Sequence, residues 1–449
     1  MNGGPPRQMP RATEGPPRKA ARGNAPAARP TPRLLEHAVE VVTQLLRFSG
    51  PADDAISRYF RAHRELGQHE RAFVAEAAFA VLRRRRSLEA AAGSPGARPL
   101  VVAALMRVLG FSARALAGLV DEELTARVRA ARADSLAPAQ RAELPDWLWQ
   151  RLSAAHGEEE AMRIAQGLAN PAPLDLRVNL ARLSREAALE RLAADGLEAR
   201  PTPYSPAGIR LGGKPPINRH PLFRDGLVEV QDEGSQVLAW LLAPRRGEMI
   251  ADYCAGAGGK TLAAAMLMRG TGRIYAFDIS ATRLAALAPR AARAGITSVH
   301  TVVLDAAGHD ARAKRLAGKL DRVLVDAPCS GFGTLRRNPD LKWRHGPEAI
   351  AELAQKQRGI LEAASRLVKP GGRLVYATCS ILSEENEAVA ADFAAAHDEF
   401  LPLSCAQLFG AQRIILDTGD NLRLWPHVHG TDGFFAVVYE RRGVEKGRD

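Results

Sequence analysis
The chain has 449 residues, 46% of them hydrophobic, more than one ordinary domain needs and ample for packed cores. Its formal charge of +12 points to a polyanionic partner, most simply nucleic acid. No apolar run reaches the ~18 residues of a membrane helix, and four scattered cysteines without a C-x-x-C pair argue against a disulfide framework or a structural metal site.

Residues 1–32, rich in Pro, Gly, Ala and Arg, read as a disordered basic tail. Residues 1–33 hold seven Lys/Arg against Glu14, half of the excess positive charge. The segment is Arg-rich and acid-poor like a transit peptide, but its Pro and Gly suit a flexible arm, and it lacks the apolar centre of a secretory signal. Cysteines left as free thiols fit a reducing, cytoplasmic setting. From residue 34 the pattern turns helical: Leu34, Leu35, Ala38, Val41, Val42, Leu45 and Leu46 recur on one face. Phe73, Val74, Ala77, Ala78, Val81 and Leu82 mark a second helix that closes in Arg83-Arg84-Arg85-Arg86. Those cations complement a helix C-terminus or hold phosphates. Further helices are predicted near 100–109, 112–131 and 147–168, making 34–168 one all-helical domain.

Pro171 and Pro173 mark a boundary to a small α/β linking region over 171–247. Leu174–Asn179 alternates like a strand. Ser184 caps a helix running to about Ala194 and closed by Gly196, and strand-like pieces follow at 207–211 and 227–231. Over 248–440 strands and helices alternate, which predicts a Rossmann-like α/β domain with a parallel sheet. The strand candidates are Met249–Tyr253, Arg273–Phe277, Ser298–Leu304, Arg322–Val325 and Arg373–Ala377. Phe434–Tyr439 adds a late strand, expected antiparallel at the sheet's edge.

The first of these strands runs into Asp252-Tyr253-Cys254-Ala255-Gly256-Ala257-Gly258-Gly259-Lys260-Thr261. Glycines let the backbone turn sharply and approach a ligand. A P-loop needs glycine where Cys254 stands, and a dinucleotide fingerprint needs glycine where Thr261 stands, so both patterns fail. S-adenosylmethionine remains, with its amino-acid end on the loop, its ribose on Asp278 and its adenine near Asp305, each acid ending a strand. Each such Asp also has a plainer reading as a helix N-cap. Lys260 binds the cofactor end, lowers a thiol pKa, or is a solvated first-turn lysine.

Two cysteines also follow strands: Asp326-Ala327-Pro328-Cys329-Ser330-Gly331, and Ala377-Thr378-Cys379-Ser380 before Glu384-Glu385-Asn386. With the loop, Arg177-Val178-Asn179, Gln231-Asp232-Glu233-Gly234-Ser235 and Gly430-Thr431-Asp432-Gly433-Phe434-Phe435, they resemble the Sun family of RNA cytosine-C5 methyltransferases. The likeness is greatest to the bacterial branch acting on small-subunit (16S) ribosomal RNA. The helical region is more vaguely similar to that branch's NusB-like domain, which implies an RNA-binding role. One departure stands out: the family's C-A-A-P-G-G-K-T is here Cys254-Ala255-Gly256-Ala257-Gly258-Gly259-Lys260-Thr261, which frees one N–H and loosens the turn.

Cytosine C5 is a poor nucleophile toward a methyl sulfonium. A thiolate adding at C6 pushes electron density to C5, and a group near N3 must meet the charge that develops there. Spacing does not decide which sulfur attacks. The resemblance implies Cys379 as nucleophile and Cys329 as the release-assisting group, whereas DNA cytosine methyltransferases attack from a Pro-Cys pair, here Cys329. Asp326 is the N3 candidate. The resemblance also implies Cys254–Lys260, Asp278, Arg283, Asp305 and Asp326 as cofactor-binding residues. Phe332, Arg336, Arg337, Lys342 and Trp343 suit a single strand with splayed bases or a packed lid, and Arg177 a more distant phosphate. Two further readings keep the sequence in view: a transfer-RNA methyltransferase, and a non-catalytic RNA-binding ribosome assembly factor.

Overall fold
The computed structural model describes residues 28–305 and 310–443, so most of the expected basic tail lies outside the described residues. The N-terminal part is helical. Helices Pro32–Leu45, Ala52–Ala62, Gln68–Ala92, Ala97–Arg107 and Glu122–Ala130 enclose a core of Leu35, Phe73, Val81, Leu100 and Val128. Thr31 caps the first helix, its hydroxyl accepting from Leu34 N at 3.2 Å. The single helix expected over 112–131 is two pieces: a 3-10 turn at Ala113–Leu116 and a helix begun by Asp121, parted by Gly118 at φ +75°.

The Arg83–Arg86 run does not end its helix, which continues to Ala92 and stops at Gly93 with φ +67°. Continued packing carries the helix past the charges: Leu88, Ala91 and Ala92 are buried. The run instead sits at a kink, where Arg84 leaves helical geometry at φ −116°. Helices Asp146–His156 and Glu158–Ala169 pack elsewhere, sharing a core with Phe332, Leu335, Ile350, Ile381 and Leu382 of the C-terminal part.

Four strands form the middle sheet: β1 (Leu174–Val178), β2 (Ala199–Pro201), β3 (Gly208–Leu211) and β4 (Val228–Val230). They lie antiparallel in the order β2-β3-β1-β4, with helix Arg185–Ala194 capped by Ser184 as predicted.

The large sheet holds β5 (Met249–Asp252), β6 (Arg273–Asp278), β7 (Val299–Val303), β8 (Leu320–Asp326), β9 (Val368–Thr378), β10 (Phe400–Leu403), β11 (Leu422–Leu424) and β12 (Phe434–Arg441). Its order is β10-β12-β9-β8-β5-β6-β7, with β11 also on β12. Strands β5 to β9 run parallel, as the alternation required. β12 is antiparallel but is not an edge strand: it lies between β9 and β10. Its composition explains this. Phe434, Ala436 and Val438 enter one core, while Phe435, Val437 and Tyr439 enter the core on the opposite face. A run apolar at every position is a strand covered on both sides. The chain leaves β5 toward β6 and β7, then returns to β8 on the other flank of β5. That reversal opens a crevice at the C-terminal ends of β5 and β8, where ligands of such sheets bind.

Candidate active site
The glycine loop fills one side of this crevice. Asp252 ends β5, and its Oδ2 accepts from the Thr261 hydroxyl at 2.7 Å, closing the loop on the first turn of helix Gly259–Leu267. Burial pushes the Asp252 carboxyl up to about 6. Gly256 and Gly258 have φ of +55° and +83°, and a Cβ on Gly258 would stand 2.0 Å from Leu287 Cδ1. Asp278 ends β6 and braces the loop: Gly256 N donates to its Oδ2 and Ser280 N to its Oδ1, both at 2.8 Å. Each oxygen keeps a lone pair for another donor.

The next residue, Ile279, is 66% exposed, an apolar surface beside the acid that the sequence reading did not single out. Its signal was an aliphatic residue directly after the strand-end Asp. Asp305 is exposed just past β7. Arg283 lies exposed in the first turn of helix Ala281–Ala294, its N–H donating to the Ser280 cap at 3.3 Å. Bare backbone, a carboxylate with spare acceptors and an exposed aliphatic side chain form a set that fits an adenosyl ligand with an amino-acid end.

The other side carries the thiols. Cys329 follows β8 and Cys379 follows β9, adjacent parallel strands in which Asp326 pairs with Ala377. Their Sγ atoms are 3.3 Å apart. The Cys329 thiol is pushed well above the usual range, first by its hydrogen bond with Cys379 and then by burial. Lys260 Nζ donates to Asp326 Oδ2 at 2.6 Å and stands 5.5 Å from the Phe434 ring centroid. Burial opposes the Lys260 charge, but Asp326 beside it prevails and the ammonium is held above its ordinary pKa. Cys254 is raised well above the usual thiol range by burial and by Asp252, Asp326 and Asp278, which keeps it protonated. Cys405 is a core residue, raised to about 12 by burial.

The expected RNA contacts turn inward. Phe332 is fully buried, packed in the core shared with helices 146–169. Arg336 donates to Gly430 O at 2.9 Å and Thr431 O at 2.8 Å, and Arg337 pairs with Asp432 at 2.6 Å and Asp232 at 2.9 Å. Buried Lys342, lowered to about 7 by burial, donates to Arg83 O at 3.0 Å, and Trp343 Nε1 donates to Leu82 O at 2.9 Å. Arg83 returns a bond to Arg336 O at 3.0 Å. The packed-lid alternative therefore fits 332–344 better than a single-strand platform: its contacts pin the helical part to the C-terminal part, and Arg337 and Trp343 keep part of their surface. Arg177 is likewise corrected. It is buried, bonds Gln231, and donates to Gly259 O at 2.7 Å, so it braces the cofactor loop from β1. Arg290, held by Glu229, donates to Ala257 O at 2.5 Å at the position where the family's proline would stand.

The geometry has clear relatives. Residues 239–439 match the family model described as 16S rRNA methyltransferase RsmB/F, and residues 144–218 match the ferredoxin-like domain described as Methyltr_RsmF/B-like. A "Probable ribosomal RNA small subunit methyltransferase B" of Bacillus subtilis is 35% identical over 306 residues, 67% of this chain and 66% of that protein. The chain thus spans just under two thirds of that relative's length. A "Ribosomal RNA small subunit methyltransferase B" of Sodalis glossinidius is 39% identical over 308 residues, 67% of each chain. The crystal structure of PH0851 superposes with a TM-score of 0.76 at 26% identity, covering 92% of this chain and all of that one. The chain belongs to the 16S rRNA methyltransferase RsmB/F family.

Proposed function
We propose that the protein transfers a methyl group from S-adenosylmethionine to C5 of a cytosine in small-subunit ribosomal RNA, through a covalent bond between Cys379 and C6. The observation that carries this reading is the pair of sulfurs 3.3 Å apart, on neighbouring strand ends beside the Lys260–Asp326 pair and the glycine loop. The named relatives are ribosomal RNA small-subunit methyltransferases, which supports the substrate class.

The residues divide the work as follows. Gly256–Lys260, Asp278 and Ile279 hold the cofactor, which supplies an electrophilic methyl group. The Cys379 thiolate adds to C6 of a cytosine swung out of its stack, and the ring's π pair shifts toward C5 and N3. Asp326 with its Lys260 partner faces the N3 edge, where the pair shares a proton with the ring as negative charge builds. C5 takes the methyl group, then gives its proton to a water molecule, and the electron pair so freed re-forms the C5–C6 double bond as Cys379 leaves with the C6–S pair. Cys329, in contact with the leaving sulfur, assists that expulsion.

Replacing each cysteine separately tests the assignment. Cys379→Ala abolishes methylation and yields no adduct on a denaturing gel. Cys329→Ala accumulates a covalent RNA–protein band. The reverse pattern would exchange the two roles, and full turnover by Cys379→Ala would refute the covalent route. For the helical part, in which Arg83, Arg85 and Arg86 are committed to internal contacts, we propose a substrate-placing role. Loss of RNA affinity on removing residues 1–143 is the expected result.

A further inference from the structure
Below the two sulfurs lies a carboxylate that the mechanism above does not use. Glu385 is fully buried in the turn after β9. Its Oε1 accepts from the Ser330 main-chain N–H at 2.8 Å and from the Gln357 amide at 3.1 Å. Its Oε2 accepts from the hydroxyls of Ser330 and Ser380, both at 2.5 Å, and the two hydroxyl oxygens are 3.2 Å apart. Ser330 directly follows Cys329, and Ser380 directly follows Cys379. Gln357 extends the tie, donating to Pro328 O at 3.0 Å, one residue before Cys329.

An ionised carboxylate only accepts, so it suits a site that presents it with donors alone. Strand pairing fixes β8 against β9 as far as Asp326 and Ala377; beyond the ladder the main chain ties the two cysteine turns through Gly333 N, which donates to Cys379 O at 2.8 Å. Glu385 adds a side-chain tie at the residue next to each sulfur. We propose that Glu385 is a positioning residue which, by gathering Ser330 and Ser380 onto one oxygen, sets the separation of Cys329 and Cys379. The inference rests on the proposed two-cysteine chemistry for its consequence and on the hydrogen bonds alone for its geometry.

Glu385→Gln keeps the volume but turns one acceptor oxygen into a donor facing donors. Ser330→Ala detaches only the Cys329 turn and serves as the second variant should the first fail to fold. Two readouts are taken on the full chain. The first is the rate at which diamide couples Cys329 to Cys379, located by mass spectrometry without RNA or cofactor; two thiols lose their hydrogens to diamide and one S–S bond forms. The second is steady-state methylation. Both variants are expected to lower the coupling rate and kcat by about tenfold or more, with KM for RNA within about twofold, because the sulfurs and not the RNA surface are displaced. Ser330→Ala also prolongs the Cys379–RNA adduct on denaturing gels.

Folded variants that couple at the wild-type rate, or that raise KM while kcat holds, would overturn the proposal. The two ideas fail separately. A wild-type protein that never methylates RNA, with coupling still sensitive to Glu385, removes the proposed function and keeps the geometry. Methylation with coupling insensitive to Glu385 does the opposite.

Discussion
The glycine loop at 252–261 and the basic segment at 332–344 present equally loud patterns, and the fold uses them in opposite ways. The loop leaves backbone bare at the mouth of a crevice. The segment buries Phe332 and commits Arg336, Arg337 and Lys342 to carbonyls and carboxylates of three other regions. A motif defined by backbone need survives transfer into the folded protein, because glycine spacing and a strand end fix where the chain turns. A motif defined by composition does not, because nothing in a run of Arg, Lys and Trp says whether the partner is a phosphate or a neighbouring helix. Buried cations require partners, and here the protein supplies them.

Substitutions sharpen this contrast. The largest effect is expected from Arg337→Met. It strands Asp232 and Asp432 without their shared cation, and Asp432 is already raised to about 7 by burial and by Asp232. Breaking a buried ion network costs about 3–5 kcal/mol, read as a lower denaturation midpoint. A loss in RNA affinity at unchanged stability would return Arg337 to the nucleic-acid surface.

Next comes Asp252→Asn at the loop. Asp252 holds its proton up to about 6 in the folded chain, against an ordinary carboxyl value of 3.8. The folded state therefore binds more protons than the unfolded state between those two values, and stability falls as pH rises through that window. Below it the variant should match the wild type. Above about pH 6 it should be more stable by about 1–3 kcal/mol, which melting curves at pH 4 and pH 8 would show. Equal gains at both pH values would mean the charge is not the cause.

A smaller change is expected of Arg177→Met, which releases Gly259 O. Affinity for S-adenosylmethionine by calorimetry should weaken by about tenfold, the cost of one charge-assisted hydrogen bond. The smallest belongs to Arg336→Met in RNA binding. A lost phosphate contact would change the salt slope by about 0.7–0.9; the slope should hold, since both bonds of this guanidinium go to main-chain carbonyls.

Much of the C-terminal fold was legible because its signals are local. The five parallel strands are found at or near the predicted residues, and strand-end Asp252, Asp278 and Asp326 face one crevice because each strand points the same way. What escaped was either weakly marked or too dependent on distant partners. β2 and β10 each hold a proline, Pro201 and Pro402, which argues against a strand, and β11 has three residues. The place of β12 inside the sheet was implicit in six consecutive apolar residues, but only the knowledge of two covering layers turns that run into an address. Gly333 shows the second kind of limit. A Cβ there would lie 2.2 Å from Gly433 O, a contact between segments 100 residues apart that no local spacing announces. Glu385 belonged to a recognisable signature, yet its four donors come from positions 330, 357 and 380, which only the fold assembles.

The burial of β12 also orders events during synthesis. A nascent chain that has emerged as far as residue 433 already carries both thiols, the glycine loop and every parallel strand, yet it lacks the ribbon that inserts between β9 and β10 and completes both hydrophobic layers. The helical bundle, built from contacts close in sequence, can assemble as soon as it clears the exit tunnel. The two hydrophobic layers of the large sheet can therefore close only after residues 434–441 are made, whereas the bundle needs none of them.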